Sequence, residues 1–137
     1  MNNPLFNLEN KIALVSGGYR GLGYAMALGL AECGAIVGLN GRSADGVSES
    51  VAAMEKLGLK AFPAVFDITD EAAVKAGIAG ISRQFRDVDI LVNNAGIQDR
   101  APLADMSVEK FENAINTNLK SAFLLSREVV GGMRQKG

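Results

Sequence analysis

The stretch Ser16-Gly17-Gly18-Tyr19-Arg20-Gly21-Leu22-Gly23 combines glycines with a hydroxyl at its start and a guanidinium in its middle, residue types suited to holding an anion. It follows the apolar run Ile12-Ala13-Leu14-Val15 and opens a helical pattern. In a strand–turn–helix unit of this kind, backbone N–H groups at the helix start receive phosphate oxygens. Gly17 allows a tight exit from the strand, Gly21 a close approach of backbone to a pyrophosphate, and Gly23 close seating of the helix. Three residues separate the first two glycines, unlike the G-x-G-x-x-G spacing, and an ordinary strand–helix turn would also be glycine-rich, so the rest of the chain has to decide.

Composition narrows the chemistry. There is no histidine, which excludes a His general base, a Ser-His-Asp triad and most zinc sites; Tyr, Lys or a carboxylate must carry any acid–base step. Lys and Arg total 14 against 15 Asp and Glu, so nothing favours a nucleic-acid partner. No apolar run is long enough to span a membrane, and Met1-Asn2-Asn3-Pro4 lacks the basic and apolar regions of a signal peptide. The one cysteine, Cys33, cannot form an internal disulfide, and the default expectation is a reducing, cytoplasmic setting. At 137 residues and 48% hydrophobic, the chain reads as one domain, residues 1–137.

The elements that position the glycine turn alternate. Lys11 to Ser16 reads as a first strand buried on both faces. A helix follows, with Leu22, Ala25, Met26, Gly29, Leu30 and Cys33 as its apolar stripe and Gly34 beyond its end. Ala35 to Leu39 is a second strand. Asp45 to Leu57 is a second helix with Val47, Val51, Met54 and Leu57 inward. Lys60 to Phe66 is a third strand, and Pro63 argues for an edge. Thr69 reads as the cap of a third helix whose stripe is Val74, Ile78, Ile81 and Phe85. Val88 to Val92 is a fourth strand. After a loop, Ser107 caps a long helix, with Met106 and Phe111 placed as a hydrophobic staple. Its face runs Phe111, Ile115, Leu119, Ala122, Phe123, Ser126, Val130 and Met133, and Gly131-Gly132 should weaken its end. This βαβ series predicts an α/β fold with a parallel sheet and right-handed crossovers.

Ligands of such sheets bind beyond the carboxyl ends of the strands. The four ends here are the glycine turn, Asn40-Gly41-Arg42-Ser43, Asp67-Ile68 and Asn93-Asn94-Ala95-Gly96, all small or polar as an extended dinucleotide needs. An NAD site wants an acid at the second strand's end, for the ribose 2′-hydroxyl; an NADP site wants a cation for the 2′-phosphate. Leu39 and Asn40 are neutral, Arg42 lies just beyond, and Arg20 sits in the first turn. Two guanidiniums on one phosphate favour NADP over NAD, unless both are ordinary surface arginines.

The residues also resemble a known family, the short-chain dehydrogenases/reductases, over essentially the whole chain. Ser16-Gly17-x-x-x-Gly21-x-Gly23 is similar to its cofactor glycine motif, Asn93-Asn94-Ala95-Gly96 to its second signature, and Asn118 in Asn116-Thr117-Asn118-Leu119 to the asparagine of its catalytic tetrad. The resemblance implies a Rossmann-type doubly wound sheet of order 3-2-1-4, the N-terminal part of a longer domain. It implies a cofactor site of Ser16, Gly17, Tyr19, Arg20, Gly21, Leu22, Gly23, Asn40, Arg42, Ser43, Asp67, Ile68, Asn94, Ala95 and Gly96. Asp67 and Ile68 should touch adenine; Asn94, Ala95 and Gly96 should pack near the adenosine ribose. Asp67 also reads as a solvated turn acid, and Asn118 as a structural amide on a largely buried helix face. Phe6-Asn7-Leu8-x-x-Lys11 and Asn94-Ala95-Gly96-Ile97-Gln98-x-Arg100-x-Pro102 are most similar to gluconate 5-dehydrogenases and other sugar-acid or polyol reductases of the family. Arg100 would then face a substrate carboxylate, though a loop arginine is commonly just solvated.

The resemblance further implies hydride transfer between NADP(H) and a secondary alcohol or ketone, a small-molecule substrate and a homo-oligomer. The family's Ser and Tyr-x-x-x-Lys do not occur in this sequence: four residues beyond Tyr19 and Tyr24 stand Gly23 and Leu28. The 137 residues alone are therefore expected to bind cofactor without turnover, with the fourth strand an uncovered edge and the long helix unpartnered. The rival reading is a non-catalytic nucleotide-binding or subunit-assembly module. A flavodoxin-like signalling domain is disfavoured, because Ser16-Gly17-Gly18 stand where acids would be wanted.

Overall fold

The computed structural model describes residues 6–137; Met1-Asn2-Asn3-Pro4, read above for targeting, lies outside the described residues. Strands β1 (Ile12–Val15), β2 (Ile36–Gly41), β3 (Ala61–Val65) and β4 (Ile90–Val92) form one parallel sheet in the order β3-β2-β1-β4. Helices α1 (Gly21–Glu32), α2 (Ala44–Lys56) and α3 (Glu71–Gln84) are the crossovers. After a short 3-10 turn, Leu103–Asp105, helix α4 (Val108–Ile115) runs through a π segment (Asn116–Lys120) into α5 (Ser121–Lys136). This is the doubly wound, Rossmann-type arrangement expected, with Pro63 on the edge strand β3.

Strand alternation explains the two layers. Ile12 and Leu14 of β1 join Phe62 and Ala64 of β3 in a core under α3 and α5, with Val74, Ile78, Ile81, Leu124 and Leu125. Ala13 and Val15 point the other way, with Val37 and Leu39, into a core under α1 and α2 that includes Ala27, Ala31, Val47 and Met54. Gly38 faces the Phe62 ring, which lies where a Cβ would stand, and Phe62 in turn meets Phe85 with ring centroids 4.3 Å apart.

Four sequence expectations are corrected. The buried face of α1 is Gly23, Ala27 and Ala31, not the Leu22 stripe; Leu22 is 72% exposed and Cys33 only half-buried. The helix is apolar nearly all round, so its pattern carried no phase, and the smallest side chains give the closest approach. Leu57 is exposed, because α2 ends at Lys56 and Gly58 turns the chain at φ 76°. Asp70, not Thr69, caps α3, accepting the Ala73 N–H at 3.0 Å; Thr69 is held by Asp67 instead. The long helix buries Ser121, Leu124, Leu125 and Val129, whereas Leu119 is 63% and Phe123 58% exposed. The helix has two apolar sides and the sheet takes one.

The same helix continues through Gly131-Gly132. At Gly132 a Cβ would lie 2.7 Å from the Cβ of Asp87, so glycine lets the helix seat on the β4 approach. Lys136 then donates to Asp89 Oδ1 at 2.9 Å and to the Asp87 carbonyl at 2.7 Å. Asp89 is partly buried, which raises its pKa, yet the Ile12 N–H and Lys136 outweigh this and hold it below its ordinary value.

Candidate functional site

A cleft of about 550 Å³ opens at the carboxyl ends of the four strands. The glycine turn supplies Gly17, Tyr19, Arg20, Gly21, Leu22 and Gly23; the end of β2 supplies Asn40, Gly41 and Arg42. Phe66, Asp67, Ile68 and Thr69 follow β3, Asn94 to Ile97 follow β4, and Asn113 and Thr117 reach in from the long helix.

The turn is built on left-handed backbone that favours glycine. Gly17 and Gly21 have φ 61° and 55°. A Cβ at Gly23 would lie 2.2 Å from the Gly17 carbonyl oxygen and 2.5 Å from Asn94 Nδ2. At Gly21 nothing lies within 4 Å, so the space beside it belongs to the cleft. Ser43, Asp70 and Ser107 cap α2, α3 and α4 by accepting backbone N–H bonds; α1 starts at Gly21 with no side-chain cap and no acid in its first turn. No N-cap side chain takes its first amides, and the helix dipole there favours negative charge.

Ser16 and Asn94 lock this turn to β4. The Ser16 hydroxyl donates to the Val92 carbonyl at 3.3 Å and accepts the Asn94 and Ala95 N–H groups, each at 3.0 Å. The Asn94 side chain donates to the carbonyls of Ser16 at 3.0 Å and Gly17 at 3.3 Å. Asn40 does the same for β3: buried, its side-chain amide donates to the carbonyls of Ala64 at 2.9 Å and Phe66 at 3.1 Å, while its backbone carbonyl accepts the Gly18 N–H at 3.0 Å. Asp67 accepts the Thr69 N–H at 2.8 Å and hydroxyl at 2.7 Å. These bonds hold its carboxyl below its ordinary value; partial burial opposes them and Arg42 adds to them.

Of the fifteen cofactor positions singled out from sequence, thirteen meet in one cleft, among them Arg20 and Arg42 on the same cavity. Ser16, Ser43, Arg100 and Asn118 do not line it. Ser16 is buried in the turn's bonding and Ser43 caps α2. Arg100 is exposed on the loop. Asn118 is exposed rather than on a buried face, and both ends of its amide are taken by the Ile97 backbone. Sequence reasoning missed Phe66, Thr69, Ile97, Asn113 and Thr117. The signal for the last two was a polar i, i+4 pair beside the Asn118 segment.

A family model described as short chain dehydrogenase matches residues 11–137. The chain belongs to the short-chain dehydrogenase family. It is 44% identical over 138 residues to the gluconate 5-dehydrogenase of Gluconobacter oxydans (strain 621H), covering 100% of this chain and 54% of that protein. It is 40% identical over 137 residues to the 2-dehydro-3-deoxy-D-gluconate 5-dehydrogenase of Formosa agariphila, covering 99% of this chain and 52% of the relative. Among solved structures, a gluconate 5-dehydrogenase from Burkholderia cenocepacia J2315, in complex with NADP and tartrate, superposes with a TM-score of 0.91 at 35% identity, over 96% of this chain and 51% of that one. The chain thus spans about half the length of the relatives it matches. No helix among the described residues is long and apolar enough to cross a membrane.

Proposed function

We propose that this chain is the NADP(H)-binding part, residues 1–137, of an oxidoreductase acting on a sugar acid such as gluconate or 5-ketogluconate. The observation that carries the cofactor reading is the uncapped start of α1 sharing one cleft with Arg20 and Arg42, with no acid at the end of β2. The α1 amides and Gly21 would take the pyrophosphate, Arg20 and Arg42 the 2′-phosphate, and Phe66 and Ile68 the flat face of adenine beside Asp67. Ser16 from behind the cleft, and Asn40 and Asn94 from its wall, fix the turn and the strand ends. Bound NADP(H) supplies the hydride. The relative crystallised with NADP and tartrate supports the cofactor, and the gluconate-acting relatives support the substrate class.

Arg100 is proposed to meet the substrate carboxylate, and Asn118 to brace the loop that carries it. Neither tyrosine of this sequence has a lysine four residues on, so the 137 residues by themselves are proposed to bind nucleotide without reducing 5-ketogluconate. The exposed face of Phe111, Leu119 and Phe123 is proposed to be covered in a homo-oligomer.

Fluorescence titration with NADPH and NADH tests the cofactor reading. Tighter NADPH binding, weakened about tenfold or more by Arg42→Leu while NADH binding is unchanged, is expected. Equal affinity for the two, or none, rejects it.

A further inference from the structure

Tyr19 occupies a seat made of two glycines from a different part of the chain. A Cβ at Gly41 would stand 2.5 and 2.6 Å from ring carbons Cδ1 and Cε1; one at Gly46 would stand 3.1 and 3.2 Å from Cε2 and Cδ2 on the ring's other edge. The Ser50 hydroxyl of α2 donates to the Tyr19 carbonyl at 2.6 Å, and the ring packs against the core under α1 and α2. The ring therefore bridges from the glycine turn to the end of β2, where Arg42 directly follows Gly41. The Arg20 guanidinium lies over this ring, 5.4 Å from its centroid.

We propose that Tyr19 is the positioning residue for cofactor selectivity: seated on Gly41 and Gly46, it holds Arg20 at the corner shared with Arg42, where a ribose 2′-phosphate would sit. This rests on the NADP(H) reading above. An exposed arginine has many rotamers, and fixing it against an aromatic face removes an entropic penalty that the phosphate would otherwise meet. The gain falls only on ligands that carry the 2′-phosphate. A ligand with a bare 2′-hydroxyl gains nothing from the held cation, so the device acts on the ratio of affinities rather than on affinity in general.

The test titrates the chain and its Tyr19→Leu and Tyr19→Phe variants with adenosine 2′,5′-bisphosphate and with adenosine 5′-monophosphate. Leucine keeps an apolar side chain in the seat and removes the π face; phenylalanine keeps the face. Tyr19→Leu is expected to lower the ratio of bisphosphate to monophosphate affinity about three- to fivefold, and Tyr19→Phe to keep the parent's ratio. Tyr19→Met answers the same question should the leucine variant lose its cooperative melt. A ratio unchanged in Tyr19→Leu, or a loss shared equally by both ligands, overturns the role of Tyr19 while leaving the NADP(H) reading standing. A parent chain that does not prefer the bisphosphate overturns both.

Discussion

The side-chain amide of Asn118 makes a two-way pair with the backbone of Ile97: its Oδ1 accepts the Ile97 N–H at 2.8 Å and its Nδ2 donates to the Ile97 carbonyl at 2.9 Å. The asparagine sits in the π segment Asn116–Lys120, the irregular stretch between α4 and α5. Such segments free backbone groups and re-aim side chains. Here the buried Ser121 hydroxyl takes up the Thr117 carbonyl, and Asn118 is turned onto the strand-end loop.

Asn118→Asp keeps an acceptor for the Ile97 N–H but sets a carboxylate oxygen against the Ile97 carbonyl. It should loosen residues 97–100 and cost about 1–2 kcal/mol. Hydrogen exchange should show faster protection loss at Ile97, with β1 and β2 unaffected.

Ser16 uses the full capacity of a hydroxyl, one bond given and two accepted. Ser16→Ala would strand the Ala95 N–H in a half-buried site and leave the Asn94 N–H only its bond to the Val92 carbonyl at 3.1 Å, at a cost of about 1–3 kcal/mol. Ser16→Thr, which retains the hydroxyl, should restore most of this loss in urea unfolding.

Gly23→Ala sets two effects against each other. Alanine favours a helix by about 0.5–1 kcal/mol over glycine. Its Cβ, however, would fall 2.2 Å from the Gly17 carbonyl oxygen, a backbone atom fixed by Asn94. Overpacking of this kind costs about 1–3 kcal/mol, so the variant should be destabilised and should lose nucleotide binding. Gly29→Ala, in the same helix with nothing within 4 Å, should leave stability level or higher by thermal melting.

Asp67 gives a pH dependence with a definite sign. The Thr69 amide and hydroxyl hold its folded pKa below the ordinary 3.8, so the carboxylate adds stability above 3.8 that is lost as pH falls through the lower folded value. Urea unfolding across that acid window should fall more steeply for the parent than for Asp67→Asn. Nucleotide binding should show no titration of Asp67 near neutral pH.

Much of this was legible along the chain, because it depends on local chemistry. Alternation of strands and helices, the glycines of the first turn, and small or polar residues at all four strand ends are written in consecutive residues, and they imply a parallel sheet with a cleft at one edge. Ser107 as a cap and Pro63 at an edge are likewise local. What the tertiary structure decided was phase and partnership. In α1, where nearly every side is apolar, only packing on the sheet selects Gly23, Ala27 and Ala31 as the inward face. In α5, with two apolar sides and one sheet, only the fold says which is covered. Ser16, Asn40 and Asn118 look alike in sequence as polar site candidates, yet their bonds run to Val92, Ala64 and Ile97, residues 76, 24 and 21 positions away. A side chain's hydrogen-bond partners at such separations are set by how the strands lie beside one another, which no local spacing encodes.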